Sequence, residues 1–518
     1  MRAALDSKIV TQELNQAQMQ RTTGVVRCPS LYQINTRICL RDLAVTLKRA
    51  ATFDDIPDLY LDRLVDQGFD WVWFLGVWQT GEAGKKVSRE QPDWNAEFRE
   101  TLPDLQPQDI TGSCFALTSY EVNSGFGGNA SLARLRLRLQ ERGLKLLLDF
   151  VPNHTAPDHP WTRSHPEFYL HGTEEQLKRE PQNYVRKDDG GKSTILAYGR
   201  DPYFPGWPDT LQLNYAEPSL QEAMKQELRR VSERCDGVRC DMAMLILPDV
   251  FERTWGVRPT PFWPSAIESI RSSKRDFIFM AEVYWDLEWT LQQQGFNYTY
   301  DKRLYDRLRD GRARPVRDHL RADMEFQLKS VRFLENHDEP RAAATFEPAV
   351  HRAAAVVTFL CPGMRFFHDG EFEGRKKKLP VHLGRRPREG ADSSLVEFYS
   401  HLLACVHRPE TRTGEWQLLS CTPAWDGNWT WDCFISSMWS LPAGDRLVSI
   451  VNYAPNQSQC YLQLPVNELS GHSVTFQDLM GTAIYERDGN ELLSRGLFLD
   501  LPPWGYHIFK VVCGEHQR

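Results

Sequence analysis

Apolar runs alternate with amphipathic stretches through most of the chain. Leu31-Tyr32-Gln33-Ile34-Asn35 reads as a first strand. A helix-like stretch at 60–67 stops at Gly68, a residue suited to ending a helix. The run at 69–78 that follows is apolar almost throughout, as strands buried on both faces are. The unit then recurs. A helical pattern at 131–142 stops at Gly143 before a buried run at 144–150, and another at 220–233 leads into Cys235-Asp236-Gly237-Val238-Arg239-Cys240-Asp241-Met242-Ala243. A third, at 267–272, precedes the apolar run 277–281. Weaker strands are predicted at 295–300, 330–334 and 364–367. Strands alternating with helices imply a parallel sheet with right-handed crossovers, and their number and the chain's length fit a (β/α)8 TIM barrel. Periodicity alone also admits a doubly wound open sheet, but no G-x-G-x-x-G follows the first strand.

Three regions depart from the alternation. Residues 79–110 read as an excursion of loop and short helix. Residues 155–213 are rich in Pro, Gly, His and aromatic side chains with little periodicity, and a loop of that length is expected to be functional or a small subdomain. Beyond about residue 415, short β-rich runs such as Leu447-Val448-Ser449-Ile450-Val451 alternate with turns. The expected division is a polar leader at 1–27, helical around Leu14, a barrel at 28–410 carrying an inserted subdomain at 155–213, and a separate C-terminal antiparallel β-sandwich at 411–518.

Charge narrows the function. Lys and Arg number 62 and Asp and Glu 69, a net charge of −7, which gives no electrostatic case for nucleic acid or an anionic membrane. The basic run Arg375-Lys376-Lys377-Lys378 reads as a solvated loop. Eleven cysteines are scattered without a C-x-x-C pair, which favours neither a disulfide framework nor a metal site. The first residues lack the apolar core of a signal peptide, and no window is long and apolar enough to span a membrane. A reducing cytoplasm is the expectation.

Candidate chemistry sits at strand ends, where a barrel carries its functional loops. Asp149-Phe150-Val151-Pro152-Asn153-His154 ends the third strand, and Glu282 follows the apolar end of the fifth. Asn336-His337-Asp338 ends the seventh. In the fourth, side-chain alternation puts Arg239 and Asp241 on one face, where a fixed guanidinium would keep the carboxylate ionised and suited to nucleophilic attack. Alone, that pair reads as a buried structural ion pair. Four such strand ends are harder to assign to capping. One conflict stands: strict alternation puts His337 opposite Asn336 and Asp338, so the strand must end or bend by His337.

These segments, D-F-V-P-N-H at 149–154, G-V-R-C-D-M-A at 237–243, A-E-V at 281–283 and N-H-D at 336–338, resemble in kind and order the signature regions of glycoside hydrolase family 13, the α-amylase family. The resemblance implies that Asp241 is the nucleophile, Glu282 the general acid/base and Asp338 the carboxylate that orients the sugar. It makes Arg239 the partner of Asp241, His154 and His337 ligands of sugar hydroxyls, and Asp149 an anchor behind them. Burial is expected to raise Glu282 towards the range of a general acid. Phe115, where the family usually has Tyr, is expected to offer a stacking face. Asn153 matches a family calcium ligand, so calcium is a candidate, though not a required cofactor. Aromatics of the long insertion, Trp161, Tyr203, Phe204 and Trp207, are expected to divide between lining sugar subsites and packing the subdomain, with Trp207 facing sugar. The segment 366–370 is expected to shape the far side of the pocket. Met244-Leu245 stand where many α-amylases have Lys-His. The implied activity is retaining hydrolysis of α-1,4-glucans or maltodextrins. Alternatives are 4-α-glucanotransfer, action on sucrose or trehalose, or, remotely, a non-catalytic binding member of the fold.

Overall fold

The structure, a computed structural model, describes residues 26–189 and 192–516. The leader expected at 1–27, with its helix around Leu14, lies almost wholly outside them. Eight parallel strands close into a barrel: β1 (Ser30–Asn35), β2 (Trp71–Leu75), β3 (Lys145–Phe150), β4 (Gly237–Cys240), β5 (Ile278–Ala281), β6 (Tyr298–Tyr300), β7 (Ser330–Arg332) and β8 (Met364–His368). Each pairs with its neighbour in sequence, and β8 returns to β1. The TIM barrel is therefore the observed fold.

Burial explains the apolar runs. All five residues of β2 and all five of β8 are buried, because helices cover the outside while side chains fill the inside. The helix Pro218–Ser232 before β4 turns Leu220, Met224, Leu228 and Val231 inward, a stripe at helical spacing. The expected single strand over 69–78 is interrupted. Gly76, at φ 73°, turns the chain after Leu75, and a Cβ there would meet Cys114 Cβ at 2.6 Å. Trp78–Thr80 then pairs with Leu117–Val122 in a separate two-stranded sheet. Residues 79–110 hold two α-helices, Glu82–Glu90 and Pro92–Thr101, and a single 3-10 turn, Pro107–Asp109.

The insertion leaves β3 and returns to the helix before β4. Its base is a short antiparallel ladder, His154–Thr155 with Leu211–Gln212, and its body holds the hairpin Tyr184–Asp189 and Lys192–Ala197. Its own aromatics pin it, as Trp161 packs edge-on against Phe168 at 5.2 Å. The C-terminal part is a six-stranded and a three-stranded antiparallel sheet with an apolar core between them. It is less separate than its sequence suggests. Trp439, Leu447, Val451 and Ile508 belong to the barrel's core, and Trp439 Nε1–H donates to Leu360 O at 2.8 Å.

Candidate active site

The register of three strands assembles the site. Arg239 stands opposite Asp149 of β3 and Met280 of β5, and Cys240 stands opposite Ala281. Asp241 and Glu282 therefore leave adjacent strands side by side. The Asp241 N–H donates to Phe150 O (2.8 Å) and the Glu282 N–H to Cys240 O (3.0 Å). Alternation holds along β4, and Arg239 Nη1 reaches Asp241 Oδ1 at 2.6 Å. The same guanidinium also donates through Nη2 to Glu282 Oε2 at 2.5 Å. Asp149 lies 4.0 Å and Asp338 3.9 Å from it. Its π contacts with Trp73, Phe115 and Tyr300 wall the charge off from the rest of the barrel.

One buried cation faces four carboxyl groups, and they cannot all ionise without cost. Burial pushes Glu282 up to about 7, against Arg239 and with help from the charges of Asp241 and Asp338. Burial likewise raises Asp149 to about 6, opposed by Arg239 and by the Gly76 N–H, which donates to Oδ2 at 2.8 Å. For Asp338 burial acts upward but is outweighed by His337 and Arg239, so its carboxyl lies well below the usual range. Its side chain is also the most open of the four, at 38% exposed. A buried carboxyl pushed up towards neutrality beside a second one, both on the same arginine, is an arrangement suited to acid and nucleophile roles.

The loops complete it. The strand β7 stops at Arg332, and Asn336 Oδ1 accepts from the N–H groups of Asp338 (2.8 Å) and Glu339 (2.9 Å). That turn removes the alternation conflict: His337 and Asp338 reach the same space, with His337 Nε2 3.0 Å from Asp338 Oδ2. His154 is buried on the insertion's ladder, where burial lowers its pKa against the charges of Asp241 and Asp209. The Trp207 ring meets it edge-on at 5.4 Å and stays half-buried. Phe115 is only 9% exposed, tucked between Arg239 and His337, and keeps little face for a sugar. Trp161 packs within the insertion, while Tyr203 and Phe204 are exposed and Tyr203 touches Trp285 of the loop after β5. His368 and Asp369 line a cavity with His337, on the side expected for 366–370.

Four contributors escaped the sequence reading. Tyr284 O–H donates to Glu282 Oε1 at 2.8 Å, and its position two residues beyond Glu282 was the available signal. The Met242 N–H donates to Glu282 Oε2 at 2.8 Å from a left-handed conformation (φ 42°) that a side chain adopts at a cost. Gln33 Nε2 lies 3.0 Å from His337 Nδ1, and a lone amide inside the apolar first strand was its signal. Lys378, in the run read as merely solvated, is exposed but donates to Asp338 O at 2.5 Å.

Asn153, the candidate calcium ligand, has both its oxygens engaged by another side chain. A calcium ion takes about six to eight oxygens, several of them carboxylate. Both the Oδ1 and the backbone O of Asn153 instead accept from Gln212 Nε2 at 3.0 Å. Among the described residues no group of three or more His, Cys, Asp or Glu is disposed to hold a metal ion.

The geometry agrees with comparisons to known proteins. Alpha-amylase 3 of Dictyoglomus thermophilum is 22% identical over 305 residues, 54% of this chain and 58% of that protein. An alpha-1,4-glucan:maltose-1-phosphate maltosyltransferase of Burkholderia pseudomallei is 22% identical over 470 residues, 79% of this chain and 36% of that protein. The chain thus spans about half or less of the length of these relatives. A maltogenic alpha-amylase structure from Thermotoga neapolitana superposes with a TM-score of 0.66 at 19% identity, covering 94% of this chain and 99% of that one, a likeness of fold. No helix among the described residues is long and apolar enough to cross a membrane. The family model for the alpha-amylase catalytic domain matches residues 115–393, over half of the chain and all four strand-end segments, and the protein belongs to the α-amylase family.

Proposed function

We propose that the protein is a retaining enzyme acting on α-glucosidic bonds, most simply an α-amylase-type hydrolase of α-1,4-glucans or maltodextrins. The observation that carries this is Arg239 holding Asp241 and Glu282 side by side on adjacent strands. In the first half-reaction Asp241 attacks the anomeric carbon while protonated Glu282 gives its proton to the departing glycosidic oxygen. A glycosyl ester on Asp241 and a free sugar hydroxyl result. In the second, ionised Glu282 takes a proton from water, whose oxygen displaces Asp241. Asp338, held ionised by His337 and Arg239, would bind the sugar's hydroxyls as positive charge develops on the ring. Tyr284 and the Met242 N–H orient Glu282. His154, His337 and Trp207 would contact the sugar. Eleven unpaired cysteines support work in a reducing compartment such as the cytoplasm.

Transfer is the second reading, with a sugar hydroxyl replacing water. The buried turn Ala243–Ile246 supports it, because it offers no long polar side chain beyond the cleavage point where many hydrolases of the family have one. Incubation with maltoheptaose, sucrose and trehalose separately, with products resolved by chromatography, distinguishes the two. Glucose and short maltodextrins alone support hydrolysis, and products longer than the input support transfer. No turnover of any α-glucoside contradicts both.

A further inference from the structure

One wholly buried side chain closes the junction between barrel and insertion. Gln212 stands opposite His154 in the ladder at the insertion's base, and its Nε2 lies 3.0 Å from Asn153 O, 3.0 Å from Asn153 Oδ1 and 3.1 Å from Leu213 O. The Leu213 N–H returns a hydrogen bond to Asn153 O at 3.1 Å. Three oxygens from two chain segments thus converge on one point. Only a centre of positive potential is stable there, and this fixes which end of the amide faces them: a flipped Gln212 would set oxygen against three oxygens. Such convergence is what a hard cation satisfies elsewhere. An NH2 group has two hydrogens for the three acceptors, so it meets the same need with partial charge and no metal.

We infer that the Gln212 amide nitrogen stands in for a bound cation, tying the insertion to the end of β3 and setting His154 beside Asp241 without calcium. The neutral donor set agrees with this. Asn153, Leu213 and Gln212 contribute no carboxylate, so a dication there would have no charged ligand in a buried place. Conversely, a carboxylate in place of the amide would turn the three oxygens into an anionic cage that needs a cation.

The test is thermal unfolding of the whole chain in EDTA and in millimolar calcium. The parent protein is expected to melt at the same temperature in both. Gln212→Glu is expected to melt lower than the parent in EDTA and to regain several degrees in calcium, since a ligand bound only by the folded state stabilises it. Gln212→Ala is expected to melt lower in both, with no response. A parent whose melting temperature falls on chelation and returns with calcium overturns the inference, and that measurement needs no variant to fold. A Gln212→Glu chain indifferent to calcium, or a Gln212→Ala chain as stable as the parent, overturns it as well.

Discussion

Two of the three wholly buried arginines in the barrel wall, Arg239 of β4 and Arg332 of β7, have contrasting surroundings. Arg332 pairs with one carboxylate, Asp301, and spends its other donors on Gln327 Oε1 and Pro362 O. Asp301 is itself fully used, capping the helix Lys302–Arg309 through Leu304 N–H (3.0 Å) and meeting His319 Nε2 (2.8 Å). Charge there is balanced one to one. Arg239 faces four carboxyls, two in direct contact and two near 4 Å. Burial is what chiefly raises Glu282 and Asp149, the neighbouring negative charge adds to it, and a fold would not keep that excess for stability alone. A buried arginine therefore says little until its counter-charges are counted.

The largest effect should come from the proposed nucleophile. Asp241→Asn is expected to lower turnover of maltodextrins by ~10^4-fold or more, because an amide cannot form the glycosyl ester, while the melting temperature stays near that of the parent. Residual turnover within ~10-fold of the parent would remove Asp241 from the mechanism.

The two arginines separate next. Arg332→Met should cost about 3–5 kcal/mol of stability by stranding Asp301, yet leave the activity of the folded fraction within a few-fold. Arg239→Met should also cost stability but lose ~10^3-fold in kcat/KM as well. Glu282 and Asp149, already raised by burial, can take up protons, so its stability deficit should shrink on moving from pH 8 to pH 5. Paired melts and rate measurements check this, and similar behaviour in both variants would break the comparison.

Glu282 supplies the pH dependence. Its folded value, about 7, lies above the ordinary 4.5, so its contribution to stability is present below pH 4.5 and is lost as the pH rises towards 7. Glu282→Gln should therefore melt above the parent at pH 8, with the difference vanishing near pH 4. The parent's kcat/KM should fall on an alkaline limb near pH 7, where the acid loses its proton, and the variant should lack that limb. Its activity should recover on aryl glycosides whose leaving groups need no protonation. Equal losses on those and on maltodextrins would mean that Glu282 is not the acid.

Trp207 should give the smallest change. Trp207→Ala is expected to raise KM for long maltodextrins a few-fold more than it lowers kcat, as lost stacking would. A lowered melting temperature with unchanged KM would make Trp207 a packing residue of the insertion instead.

Most of the barrel and its four polar strand ends were legible, because the signals are local. Apolar runs bounded by Gly68 and Gly143 mark buried strands after helices, and the two-residue spacing of Arg239 and Asp241 fixes their common face. What was hidden depended on register or on backbone turns. Nothing in the run at 69–78 says that Gly76 adopts φ 73° and ends β2 early. The second contact of Arg239, to Glu282, needs β4 and β5 aligned, which no local pattern states. Gln212 reaches Asn153 across 59 positions of sequence, so this partner of the candidate calcium ligand could be found only once the insertion's return path was known.

The central claim is that Asp241 and Glu282 act as nucleophile and acid/base of a retaining reaction. Proton NMR of maltoheptaose during the first minutes of turnover, before mutarotation, tests it most directly through the anomeric signal of the newly formed reducing end. The account predicts the α-anomer first, drifting later towards the equilibrium mixture. First appearance of the β-anomer would mean direct attack by water and would contradict it.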